Sequence, residues 1–340
     1  MAVNYNASLV VGTVLSLSLS SQLQTGLNLM TTRVYTVLCA ITVALFALFG
    51  ESSHAAPQER PERARHQVQL PPQLEFRAPQ YVDGAHAGLV GDGRTDNTQA
   101  FQRLLGQGNR TIRIAPGDYV TGKLTIPKNT ILLLAPGVII RDSGKLGPSD
   151  RLINIVAGNV YIRARGAKLL SDRRTYGGGE QRHGVFIYGA SNVVIDGLQS
   201  DDNSGDGFYI GGPPDRPAEN ITLDNCVASG NRRQGLSIAS ARNVQVIDSL
   251  FENTRGTPPA YGIDLEPNNA HDWLDNIRIV RARTQANDGG GILIVGTALK
   301  SSPDRVNVDI VNHISVGERH PYQTVSADRL AKRMQYTGTR

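Results

Sequence analysis

His183-Gly184-Val185-Phe186-Ile187, Asp206-Gly207-Phe208-Tyr209-Ile210, Gln234-Gly235-Leu236-Ser237-Ile238, Tyr261-Gly262-Ile263-Asp264-Leu265 and Gly290-Gly291-Ile292-Leu293-Ile294 are copies of one element. Their aligned glycines stand 23, 28, 27 and 29 residues apart. Each copy is followed by an Asn-led alternating run: Asn192-Val193-Val194-Ile195, Asn220-Ile221-Thr222-Leu223, Asn243-Val244-Gln245-Val246 and Asn276-Ile277-Arg278-Ile279. Asn159-Val160-Tyr161-Ile162 and Asn307-Val308-Asp309-Ile310 fit the same template. Period-2 alternation of β-branched residues marks half-buried strands, and no 3.6-residue stripe survives across the glycines. Strands this short cannot bury a face alone. Stacked coil on coil, in register and parallel, they close one continuous core, so the chain is expected to be an all-β solenoid.

Asn203, Asn231 and Asn287 recur at a second fixed offset, and Leu198, Cys226, Ser249 and Ala282 at a third. Asn tolerates left-handed backbone and bonds its neighbours' amides, so the Asn columns read as internal stacks that hold turns. The small and apolar column reads as inward-facing.

The 340 residues suffice for one large solenoid domain. Aromatics make up 6% and there are 36 glycines, which suits a turn-rich β protein. Net charge is +5, and removing residues 1–55 leaves it unchanged. That balance suits a polyanion such as an acidic glycan, or plain solubility. No Lys/Arg cluster interleaved with aromatics appears, so nucleic acid is not an expected partner. Of the two cysteines, Cys39 lies in a hydrophobic leader and Cys226 in the inward column, which excludes a disulfide framework; no Cys/His spacing suits zinc.

Residues 1–29 are uncharged. From Met30, Thr31-Thr32-Arg33 forms a basic start, Val34–Phe49 an apolar run and Ser53-His54-Ala55 a small-residue cleavage site. Residues 1–55 thus read as a leader, a 29-residue extension plus a signal peptide, with an uncleaved anchor as the alternative. The expected location is secreted or periplasmic, as a monomer free of membrane once the leader is cleaved. Residues 56–77 read as a disordered linker, 78–316 as the solenoid and 317–340 as a C-terminal cap or tail.

Gly91-Asp92-Gly93-Arg94-Thr95-Asp96-Asn97-Thr98-Gln99-Ala100-Phe101 precedes a helix whose apolar side is Ala100, Phe101, Leu104 and Leu105, with Thr95, Asp96 or Asn97 as its cap. Pro116-Gly117-Asp118-Tyr119 follows. These residues resemble the opening of the pectate-lyase-like superfamily, which includes pectate lyases, polygalacturonases and polyuronate epimerases. The resemblance covers about residues 78–315. It implies a single-stranded right-handed parallel β-helix with an N-terminal capping helix, and it is nearly silent about the reaction. Asp92 and Asp96 read as capping residues.

In such a coil the residues one and three places after each glycine point inward, and those two and four places after it point outward. The outward columns are Phe186, Tyr209, Ser237, Asp264, Leu293 and Tyr188, Gly211, Ala239, Glu266, Val295. Asp264 and Glu266 share one side of a strand, and adjacent carboxylates raise one pKa, which suits proton transfer or divalent-cation binding. Tyr261-Gly262-Ile263-Asp264 is similar to a Tyr-Gly-Phe-Asp segment of mannuronan epimerases, without its following His. Asp206-Gly207, followed by Arg232-Arg233-Gln234-Gly235, is faintly similar to polygalacturonase segments, with Gln234 in place of a His.

The expected catalytic residues are Asp264, Glu266, Tyr261, Asp206 and Arg232. Arg233, Tyr209, His183, Asp201, Asp202 and Trp273 are expected to bind substrate. No metal ligand is assigned; Ca²⁺ on the carboxylates stays open. The loops 211–217, 255–260 and 268–273 are expected to form one binding wall. The expected partner is a uronate-bearing polysaccharide, acted on by lyase or glycoside-hydrolase chemistry. A C5-epimerase and a non-catalytic glycan-binding solenoid are the alternatives.

Overall fold

The computed structural model describes residues 80–176, 179–326 and 333–339. The expected leader and linker lie outside these residues. The described chain is an all-β parallel solenoid of about nine turns. Each coil contributes up to three short strands, so three ladders of parallel strands run along the molecule.

Face 1 contains the five glycine-led strands Val185–Tyr188, Phe208–Gly211, Leu236–Ile238, Tyr261–Leu265 and Gly290–Val295, preceded by Leu124–Ile126 and Ile153–Ile155 and followed by Tyr322–Val325. Face 2 contains the Asn-led strands, from Gln80–Asp83 through Ser191–Asp196 and Ala241–Ile247 to Met334–Thr339. Face 3 runs from Asp92–Asp96 through Gln199–Asp201 and Leu250–Glu252 to Arg283–Gln285 and the end of Val306–Val316.

The face 1 register stacks Val185, Phe208, Leu236 and Ile263 in one column and Ile187, Ile210, Ile238 and Leu265 in another. All eight are fully buried. Each such side chain gives up to about 2–3 kcal/mol on removal from water, which is what lets short strands hold a coil. The repeated glycine has a steric cause. A Cβ on Gly207 would lie 2.7 Å from Ala228 Cβ, 2.7 Å from Asn231 Nδ2 and 2.8 Å from the Gly235 carbonyl oxygen. The inward column Leu198, Cys226, Ser249 and Ala282 is buried as expected.

Asn159, Asn192, Asn220, Asn243 and Asn276 are left-handed bulge residues with φ of 53–59°. Each donates its Nδ2 to the Oδ1 of the Asn one coil earlier, at 2.9–3.1 Å. Asn129 and Asn109, absent from the sequence pattern, begin this ladder. Asn307 does not extend it. The strand Val306–Val316 has one residue fewer between its pairings to Leu274 and Ile277, so it has no bulge position. The second Asn column also stacks: Asn203 donates its Nδ2 and its backbone N–H to Asn231 Oδ1, at 2.8 and 3.0 Å.

A helix spans Thr98–Leu105 and buries Phe101, Leu104 and Leu105. Asn97 stands at its N-cap, but the Asp96 carboxylate accepts the Thr98 N–H. Asp92 binds the N–H groups of Arg94 and Thr95, which hold its carboxyl down at about 2. The Gln102 side chain accepts from the Thr125 N–H and donates to the Thr125 carbonyl. It thus serves the first face 1 strand as a neighbouring strand would.

Tyr322–Val325 pairs with face 1 and Met334–Thr339 with face 2, so the ladders continue without the glycine repeat. No helix among the described residues is long and apolar enough to cross a membrane.

Candidate functional site

The outer surface of face 1 concentrates the unusual chemistry. Its N-terminal half carries an aromatic stack. Because coils lie over one another, Phe186 and Tyr209 are neighbours in one outward column, with ring centroids 5.1 Å apart. Tyr188 lies against Phe186 at 5.1 Å and His183 against Tyr209 at 5.0 Å. The Arg151 guanidinium covers the Phe186 ring at 4.2 Å.

The C-terminal half carries carboxylates around one arginine. Arg233, whose side chain is 15% exposed, reaches Asp206 Oδ2 at 3.5 Å, Glu266 Oε2 at 3.2 Å and Glu180 Oε2 at 3.4 Å. It also donates to Ser237 Oγ at 3.4 Å. Asp264 has no exposed surface. Its Oδ2 accepts from Gln234 Nε2 at 2.7 Å, while its Oδ1 has no hydrogen-bond partner. Gln234 is oriented in turn by the Tyr261 N–H, which donates to its Oε1 at 2.7 Å.

Burial raises the carboxyls. Asp264 is pushed well above the usual carboxylate range, first by desolvation and then by the negative charge of Glu266. Asp206, also wholly buried, is raised by desolvation to about 7 against the pull of Arg233. His183 is driven the other way by burial, well below its usual value. Its Nδ1 accepts the Asp206 N–H at 3.0 Å, which places the imidazole proton on Nε2. The 3.3 Å approach of His183 Nδ1 to Asp206 Oδ2 is therefore a contact of a neutral ring, not an ion pair. Glu266, by contrast, is 40% exposed. A buried neutral acid thus sits beside an exposed carboxylate that pairs with an arginine.

Loops rise on both sides of the face, not as the single wall expected. Segments 212–217 and 266–273 follow face 1 strands and are tied together where Trp273 Nε1 donates to the Pro214 carbonyl at 3.3 Å. Segments 253–260 and 171–176 precede face 1 strands and meet where Arg173 donates to the Arg255 carbonyl.

Of the residues singled out from sequence, Asp206, Asp264, Glu266, Arg233, Tyr209 and His183 come together. Arg232 does not: its backbone binds Asn203 and Thr257 in the turn, and the adjacent Arg233 takes the place foreseen for it. The Tyr261 hydroxyl donates to Gln323, and burial followed by the Asp264 charge raises its pKa, so it is no ready base. Asp201 ends a face 3 strand, where burial raises it to about 6, and Asp202 is in the turn beyond. Trp273 is engaged by Arg305 and Arg242, at 4.0 and 4.9 Å. Glu180, Gln234, Ser237 and Arg151 were not foreseen. Gln234 occupies the turn column of His183 and Asp206, which was the signal for it. Among the described residues no three His, Cys, Asp or Glu side chains are arranged to hold a metal ion.

A family model described as "Right handed beta helix region" matches residues 119–313. The pre-neck appendage protein of Bacillus phage phi29 is 24% identical over 259 residues, covering 69% of this chain and 29% of the phage protein. The chain therefore spans under a third of that relative. The crystal structure of the pre-mature phi29 gene product 12 superposes with a TM-score of 0.59 at 20% identity, covering 72% of this chain and 34% of that one. A family 28 exopolygalacturonase from Yersinia enterocolitica superposes with a TM-score of 0.50 at 15% identity, over 70% and 55% of the two chains. At these identities the likeness is one of fold, shared by a polysaccharide-degrading enzyme and a phage appendage protein. With the family model spanning more than half of its length, the chain belongs to the right-handed β-helix family.

Proposed function

We propose that face 1 binds a glycan chain along its length and hydrolyses it, with Asp264 as the proton donor and Glu266 as the base. The observation that supports this reading most is the contrast between two carboxyls two residues apart, one on a strand and one just past its end. Asp264 is buried and held neutral, and Glu266 is exposed and paired with Arg233. Environments that push two acids apart are how one site runs both halves of acid–base chemistry. Asp264, which has no exposed surface in the free protein, is uncovered as the chain binds and gives its proton to the bridging oxygen as the C–O bond breaks. Glu266 takes a proton from the attacking water, leaving one new reducing end. Arg233 and Gln234 position the two carboxyls.

A lyase or C5-epimerase needs a cation free to neutralise the substrate carboxylate. Arg233 already serves three carboxylates, which weighs against both. A second reading, non-catalytic adhesion to a glycan, draws on the complete burial of Asp206 and Asp264 and on the phage appendage relative. Within the same proposal, the helix Thr98–Leu105 caps the solenoid, the opening motif aligns the chain with the pectate-lyase-like superfamily, and the protein is an exported monomer.

Reducing-end release from pectin, polygalacturonate, alginate and rhamnogalacturonan tests the reading. Hydrolysis is expected without a new ultraviolet-absorbing C=C product, and Asp264→Asn or Glu266→Gln is expected to lower it about 10²-fold or more. Glycan binding without release would favour adhesion.

A further inference from the structure

Arg151 stands at the N-terminal end of the site, in the same turn column as His183 and Asp206, two coils before Asp206. That offset is roughly 10 Å at about 4.8 Å per coil, a span that a disaccharide covers. Its guanidinium lies over Phe186 at 4.2 Å. It donates to Gln181 Oε1 at 2.6 Å and to the Ser149 carbonyl, both neutral acceptors. Its Nε–H is enclosed and has no partner. Among the described residues no carboxylate lies within ion-pair distance of it, and the adjacent Asp150 pairs with Lys123 at 3.2 Å. Arg233 meets three acidic side chains, whereas among the described residues no acidic side chain pairs with Arg151. Arg151 is a fixed cation, stacked on an aromatic ring and lacking a counter-charge, beside the line a bound chain follows.

We propose that Arg151 is a specificity-determining residue that receives an anionic group, a carboxylate or a sulfate, of a sugar bound on the Phe186–Tyr209 stack, about two residues from the scissile bond. Stacking keeps the guanidinium plane fixed, so its in-plane N–H groups stay aimed for a charge-assisted contact. The proposal deepens the glycan reading of the same face by giving the substrate a charge at one defined subsite.

The test compares binding of the full chain to polygalacturonate, to the same polymer with its carboxylates methyl-esterified, and to a sulfated galactan. The wild type is expected to hold one of the two anionic polymers at least about tenfold more tightly than the esterified control, the scale of one charge-assisted contact. Arg151→Gln is expected to bring the two within about twofold, and Arg151→Lys to fall between, with thermal melting unchanged in both. Which anionic polymer shows the preference separates carboxylate from sulfate. A wild type without any preference, or an Arg151→Gln variant that keeps it, overturns the proposal. Reducing-end release is read in parallel. Turnover that depends on Asp264 with no role for Arg151 sinks only this inference. An Arg151-dependent preference without turnover sinks the hydrolase reading and leaves this inference standing.

Discussion

Faces 1 and 2 are built from the same coils, yet the Arg278–Asp309 pair on one and the aspartates Asp206 and Asp264 on the other are treated oppositely. On face 2, Arg278 and Asp309 pair at 3.4 Å with side chains 57% and 37% exposed. Such pairs gain little, because water already solvates both partners. On face 1, Asp206 and Asp264 stand on an outer surface and have no exposure at all, each with one carboxyl oxygen lacking a hydrogen-bond partner. Burial of a carboxylate costs several kcal/mol unless it is neutralised, so both carboxyls are raised, Asp264 well above the usual range and Asp206 to about 7 against the pull of Arg233. Regular repeat sequence sustains face 2. Face 1 is broken by insertions on both sides, and those loops supply the cover. The difference teaches that a solenoid keeps its stability in the ladders and stores its chemistry where the ladders are interrupted.

The largest expected effect tests that contrast through pH. The folded pKa of Asp206 is about 7 against an ordinary 3.8. Between about pH 4 and 7 the unfolded chain has released this proton and the folded chain has kept it. Unfolding therefore releases a proton, and stability falls as pH rises through that window, by on the order of a few kcal/mol in all. Asp264 adds a slope of the same sign. Asp206→Asn removes one of the two ionisations. Denaturant melts at pH 5 and pH 8 are read as a difference between proteins, because the lowered His183 adds a slope of opposite sign: the wild type is expected to lose more stability, or gain less, than the variant. Equal changes would place Asp206 in a wetter site than described.

A middle-sized effect is expected on the other face. Asn220 occupies left-handed backbone at φ 56° and bonds Asn192 and Asn243. Asn220→Ala strains the bulge and removes both contacts, with an expected cost of about 1–3 kcal/mol and no pH dependence. A cost below about 0.5 kcal/mol, measured by the same melts, would show that the ladder is decoration. The smallest effect belongs to Arg278→Ala, expected to stay within about 0.5 kcal/mol at pH 7. A larger change would erase the distinction drawn between the two faces.

Much of this architecture was legible from residue order. The glycine column names the inward residues because each glycine meets a carbonyl of the next coil, and Gly184, Gly207 and Gly262 also an Asn side chain, leaving no room for a Cβ. Alternation after each glycine places Asp264 and Glu266 on the outside together, and column alignment brings Asp206 into the same area. Two things escaped. Arg232 and Arg233 are adjacent in a turn, where strand alternation no longer says which side chain faces the groove. Glu180 arrives from an insertion that carries no repeat, and Arg151 sits before a strand whose glycine is missing. Burial was the larger omission. An outward position on an isolated strand implies solvent, and only the loops in place reveal that Asp206 and Asp264 are enclosed.

Asp264 stands on the outer face of a solenoid, yet burial holds its pKa well above the ordinary carboxylate range. Carboxyl-carbon NMR of protein with labelled aspartate, titrated from pH 4 to pH 8 and assigned with Asp264→Asn, measures this directly. A resonance that retains its protonated shift at pH 6 is the expected result. A midpoint near the ordinary aspartate value of 3.8 would contradict the burial described here and the acid role built on it.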